Sequence, residues 1–113
     1  MNDKKKRIFA LLVDKADEIK ARTADALGLK MDDPKFKLRD IAPVQDADVD
    51  LLIHFNGTPT DAQDGIDQAN EARKIIEKEL GFGLTFVEMV PHPTFNIESK
   101  QIQMNTVIAW FKC

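Results

Sequence analysis

Residues 84–111, LTFVEMVPHPTFNIESKQIQMNTVIAWF, constrain the fold more than any other part of the chain. LTFVEMV (84–90) and IQMNTVIAWF (102–111) are rich in β-branched and aromatic residues, and their apolar side chains recur at every second position. That is strand periodicity, not helix periodicity. In the second run Ile102, Met104, Thr106, Ile108 and Trp110 share a face. Its end, VIAWF, is apolar on both faces, as expected of a strand covered on both sides. The eleven residues between the runs, PHPTFNIESKQ, are long for a hairpin loop in a small domain. Phe95 and Ile97 alternate with Thr94, Asn96 and Glu98, and Ile102 and Met104 alternate with Gln101 and Gln103. The expectation is that both strands continue past the sheet as a β-arm with its tip at Glu98–Gln101. Pro91 and Pro93 would stiffen the bend where the arm leaves. Such an arm cannot bury Phe95, Ile97, Ile102 and Met104 within its own domain, so these residues are the candidate protein interface.

The rest of the chain supplies two helices and two more strands. Residues 4–27 place Ile8, Leu12, Ala16, Ile19, Thr23 and Ala26 on one helical face, with Asp3 as N-cap and Gly28 as the stop. Asp14 and Asp17 interrupt the apolar patch early, so the segment reads as an amphipathic helix and not as a signal peptide. KFKLRDI (35–41) and VDLLIHFN (49–56) alternate as strands. NGTPTDAQ then resembles a helix start, with Thr58 as cap, Pro59 in the first position and Asp61 completing a capping-box variant. The core face of that helix is expected at Ala62, Ile66, Ala69, Arg73, Ile76 and Leu80, with Gly81 as the stop. Gly65 weakens the helix, which points to a close approach by a neighbour. Ile75 points away from that face and joins the interface candidates. The element order is α-β-β-α-β-β. The expected fold is one α+β domain over residues 1–113, with a four-stranded, mostly antiparallel sheet, two helices on one face and a long hairpin arm between the last two strands.

Charge narrows the partners. Net charge is −3, and residues 40–72 carry eight acidic side chains and no Lys or Arg. Such a surface repels phosphate backbones, so no nucleic-acid partner is expected. No apolar run reaches the length of a membrane span. The basic run Lys4–Arg7 reads as a solvated tail. With one cysteine, Cys113, no disulfide can form within this sequence, which fits a reducing, cytoplasmic setting.

Catalytic chemistry is poorly supplied. The chain has one serine, two histidines and no tyrosine, and it lacks the glycine-rich phosphate-binding loops. His54 with Asp50, joined by His92 and Glu88 if the fold brings the strands together, is the candidate metal or proton-transfer group. A metal site normally needs three or four ligands, and none is assigned here, nor any cofactor. Asp46, Asp48 and Asp50 begin like a calcium loop. However, Leu51 stands where glycine is required and Gly57 where glutamate is, so they read as an acidic turn. No catalytic residue is assigned.

The leading expectation is therefore a non-enzymatic assembly or protein-binding domain, homo-oligomeric through the arm. In element order the chain resembles the tail-terminator and tail-completion proteins of long-tailed bacteriophages. That resemblance implies a ring interface with β-arms reaching to neighbours, and a place in a virion. Two alternatives stand beside it. One is a small inhibitor or immunity-type protein that uses the acidic stretch against a basic partner. The other is a small enzyme or ligand binder built on His54 and His92.

Overall fold

The computed structural model describes residues 2–58 and 60–113. Its elements are α1 (Asp3–Ala26), β1 (Leu38–Pro43), β2 (Leu51–Asn56), α2 (Gln63–Leu80), β3 (Thr85–Asn96) and β4 (Gln101–Lys112). The strands form one antiparallel sheet in the order β1-β2-β4-β3. Both helices pack over the β1–β2 half of one sheet face. Leu38, Ile41, Leu51, Ile53, Phe55, Val107, Ala109 and Phe111 meet Ile8, Leu12, Ile19, Ala69, Ala72, Ile76 and Leu80 in a single core. The fold class is the expected one. No described helix is long and apolar enough to cross a membrane.

Local chemistry explains the element ends, some of which differ from expectation. The α1 N-cap is Asn2, one residue before Asp3; its Oδ1 accepts from the Lys5 amide at 2.7 Å. Gly28 adopts φ +70°, and the Gly28 and Leu29 amides donate to the Asp25 and Ala24 carbonyls. That is a Schellman stop. Helix α2 begins at Gln63, not at Thr58, and its N-cap position, Ala62, offers no side-chain bond. Thr58 instead bridges to Asp61, and Gly57 donates to the Asn105 carbonyl. The expected role of Pro59 lies outside the described residues.

The buried face of α2 is Gly65, Gln68, Ala69, Ala72, Ile76 and Leu80, rotated from expectation so that Ile66 and Arg73 are only half-buried. Two contacts cause the rotation. The Phe55 ring lies directly against Gly65. Gln68 bonds the Lys35 carbonyl and the Lys37 amide, each at 2.6 Å. These bonds also occupy backbone groups of residues 35–37, so the ladder starts at Leu38 and not at Lys35.

The basic run at the start of α1 is structural, not a solvated tail. Lys5 Nζ donates to the carbonyls of Asp46 and Val49 at 2.6 Å and to Asp50 Oδ1 at 2.7 Å. The other Asp50 oxygen accepts from the Cys113 amide at 2.7 Å. Burial pushes the Asp50 carboxyl up, but the Lys5 and Cys113 hydrogen bonds outweigh it and hold the group below its ordinary value. Arg7 donates to the Leu80 carbonyl, and Lys4 and Arg7 both lie over the Phe82 ring. One helix turn thus clamps the β1–β2 loop, the end of α2 and the end of β4.

Candidate interface and histidine pair

Strand β2 ends at Asn56, opposite Thr106. Past that point β4 has only β3 for a neighbour, and the pairs Thr94–Gln103, Phe95–Ile102 and Asn96–Gln101 form a two-stranded ribbon. The arm therefore projects and does not fold back over the sheet. The two prolines that precede it fit because β3 is an edge strand, where a missing donor breaks no outer ladder. The tip is Ile97–Lys100, one residue earlier than expected. Asn96 Oδ1 builds that turn by accepting from the Glu98 and Ser99 amides, and Lys100 takes φ 56°.

The register shifts between His92 and Thr94, where two steps on β3 match three on β4. This bulge moves Ile102 and Met104 off the face they would otherwise share with Thr106, Ile108 and Trp110. Thr94, Gln103 and Asn105 hydrogen-bond to one another along one side of the ribbon. Strand alternation then places Pro93, Phe95, Ile102 and Met104 on the other. Phe95 is 62% exposed, Ile97 81%, Ile102 71% and Met104 47%. All four interface candidates on the arm are thus uncovered by their own chain. Ile75 is not: it is half-buried and packs against the core, so it is no outward-facing contact.

The apolar side of the arm continues into the helix-facing side of β3 and β4, which the helices leave partly bare. A cavity of about 230 Å³ opens there between Ile66, Ala69 and Asn70 of α2 and Phe86, Ala109 and Phe111 of the sheet. A shallower one of about 180 Å³ lies along Met89, Pro91 and Val107. Phe86 is 50% exposed at its edge.

On the opposite sheet face the fold brings the two histidines together across β4. Their ring centroids are 5.0 Å apart and the planes nearly perpendicular, at 82°. His54 Nδ1 lies 3.4 Å from Asp40 Oδ2, a long contact. His54 Nε2 is buried with no hydrogen-bond partner. Burial lowers the His54 pKa and the Asp40 contact raises it. Arg39 and His92 add positive charge that lowers it further, and the net direction is down. The carboxylate beside His54 is Asp40, not Asp50, because Asp50 is committed to Lys5 and Cys113. Strand 35–56 periodicity had no means of showing that pairing, which depends on the β1–β2 register. Glu88 lies opposite Trp110, in a different row from His54. Among the described residues no group of three or more His, Cys, Asp or Glu side chains is placed to hold a metal ion.

Three other expectations can be placed. Among the described residues neither helix covers the face carrying Ile108 and Trp110; Ile108 is buried, and Trp110 is half-buried beside Val44, Val49 and Glu88. Cys113 has its thiol pushed up by burial and by Asp50, which favours the unreactive protonated form. The acidic stretch is split: Asp46 and Asp48 sit in the β1–β2 loop, near Asp50 and Phe111. Asp61 and Asp64 sit at the other end of the sheet, beside Asn56 and Gly57. No protein-family model, curated protein or solved structure matches this chain, so its function has to be argued from its own geometry.

Proposed function

We propose that the chain is a non-enzymatic assembly domain that self-associates through the β3–β4 arm. The observation that carries the reading is the two-sided arm, with Phe95, Ile102 and Met104 exposed along one side, Ile97 exposed at the tip, and polar residues along the other side. An isolated two-stranded hairpin is marginal in water, and a contiguous apolar strip on it is stabilised when a partner covers it. The bare cavity at Ile66, Phe86 and Ala109 has the matching chemistry for an apolar side chain from a second copy. Arm-into-neighbour contact is heterologous, so it closes into rings when the rotation permits. A ring of this kind is what the element-order resemblance to bacteriophage tail terminators implies, and a virion setting would follow from it.

The acidic-inhibitor alternative is less well supported, because its carboxylates lie at opposite ends of the sheet and not on one surface. Salt separates the two readings. Arm-mediated association buries apolar side chains, so its strength should change little between ~0.1 and ~1 M salt, whereas a contact between an acidic face and a basic partner is screened. Sedimentation velocity at rising protein concentration should show species heavier than the 12.8 kDa chain at both ionic strengths. Self-association that disappears at high salt would contradict the arm reading.

A further inference from the structure

We propose that Asp40, His54 and His92 form a proton-sensitive latch at the root of the arm, in which the His92 ring rests on a neutral His54 and protonation of His54 releases it. The proposal rests on the reading of the arm as the assembly element, and it assigns that element a control.

The geometry sets the argument. His92 stands between Pro91 and Pro93, at the last pair before the bulge, and its carbonyl accepts from Thr106 Oγ1 at 2.7 Å. Its ring is exposed but rests edge-to-face on His54, which belongs to β2, two strands away. The contact therefore ties the centre of the sheet to the bulge from which the arm projects. His54 is buried, and its Nε2 faces no acceptor. Asp40 beside Nδ1 favours the tautomer with the proton on Nδ1, leaving Nε2 as a bare lone pair.

Acid acts on this arrangement at His54. A proton on Nε2 would be a buried donor with no partner, an unfavourable state while the His92 ring stays in place. The charged groups around His54 are few. From β1 come the Asp40 carboxylate, which favours the cation, and the Arg39 guanidinium, which opposes it; from β3 comes His92. Strand β4 contributes Thr106 and Ile108, which carry no charge, and both helices lie on the other sheet face. Asp40 and Arg39 stand beside His54 on β1 with opposite charge, so burial of Nε2 is what opposes the proton. The latched state thus takes up protons less readily than the open one, and by linkage lowering the pH shifts the population toward the open arm.

The test is amide hydrogen exchange at residues 92–106, corrected for intrinsic rates, at about pH 7.5 and about pH 5.5. It is run on the wild-type chain and on the Phe95→Ser/Ile97→Ser variant. Protection at the arm root should fall several-fold on acidification, because the latched state holds His54 below its ordinary pKa. His92→Phe keeps an aromatic ring on His54, so it should retain both the protection and its pH dependence. His54→Gln removes the group that takes the proton and should flatten the profile. Protection in the wild type that does not change with pH, or a dependence that persists in His54→Gln, would overturn the latch. The Phe95→Ser/Ile97→Ser chain reports on the latch even if no assembly forms, so failure of the latch and failure of the assembly reading give different results.

Discussion

Gly65→Ala should destabilise the chain by roughly 2–3 kcal/mol, although alanine is the better helix former. A Cβ at residue 65 would lie 1.9 Å from Phe55 Cδ2 and 2.3 Å from Cε2, far inside contact distance. Phe55 has no exposed surface and is enclosed by the core, with Leu38 and Val107 paired on either side of it in the sheet. The ring cannot retreat, so helix and sheet must separate or the ring must leave its rotamer. Either strain exceeds the ~1 kcal/mol of helix propensity gained. Thermal unfolding should show Tm lower by roughly 10 °C. Adding Phe55→Leu, which removes ring atoms from the clash, should recover part of the loss, so the double variant is more stable than the sum of the singles predicts. A neutral or stabilised Gly65→Ala chain would mean that α2 does not sit on Phe55.

The second large effect is at Asp50. Both of its partners, Lys5 Nζ and the Cys113 amide, are donors, and its side chain is 11% exposed. Asparagine offers one acceptor and one donor group, so one partner must face an N–H. Asp50→Asn should therefore cost about as much as Asp50→Ala, on the order of 3 kcal/mol, since breaking a largely buried pair leaves its partner uncompensated. The pH dependence has a definite sign. The folded-state pKa is held below the ordinary 3.8, so the contribution is fully present above that value. It is lost as pH falls through the lowered folded value. Urea unfolding at pH 7 should separate wild type from Asp50→Asn by the full amount, and the gap should close as the solution is acidified below pH ~3.8. An unchanged gap in strong acid would assign the loss to something other than the carboxylate.

Much of the fold was legible because periodicity is local. Ile8, Leu12 and Ile19 mark a helix face, and Leu51, Ile53 and Phe55 mark a strand face, without reference to anything distant. The approach to Gly65 was legible for a similar reason, since a glycine inside a helix pattern asks for an explanation. What was hidden depends on contacts between remote segments. The start of α2 differs from the capping signature because Thr58 and Asp61 bridge to each other while Gly57 is held by Asn105. Lys5 looked like part of a solvated run because its three acceptors lie more than 40 residues away. That Pro91 sits inside the β3–β4 ladder and not at a bend depends on β3 being an edge strand, and edge position follows from sheet order.

The histidine pair was out of reach for the same reason. His54 and His92 meet only because β4 inserts between β2 and β3, an order that element periodicity does not encode. The bulge at the arm root is equally non-local. It turns Ile102 and Met104 to the side of Phe95, so that one side of the arm is apolar and the other polar. The exposed apolar residues themselves were readable from alternation, but the side they share was not.

The central claim is that the apolar side of the arm holds copies of this chain together. Solution mass by multi-angle light scattering, before and after Phe95→Ser with Ile97→Ser, tests it most directly. Both side chains are exposed, so the substitutions should leave the monomer's Tm within a few degrees of wild type. The account predicts a wild-type mass that is a multiple of 12.8 kDa at high concentration and a variant that runs as the single chain. A wild-type protein that stays at the mass of one chain at every concentration, or a variant that keeps the wild-type mass, would contradict it.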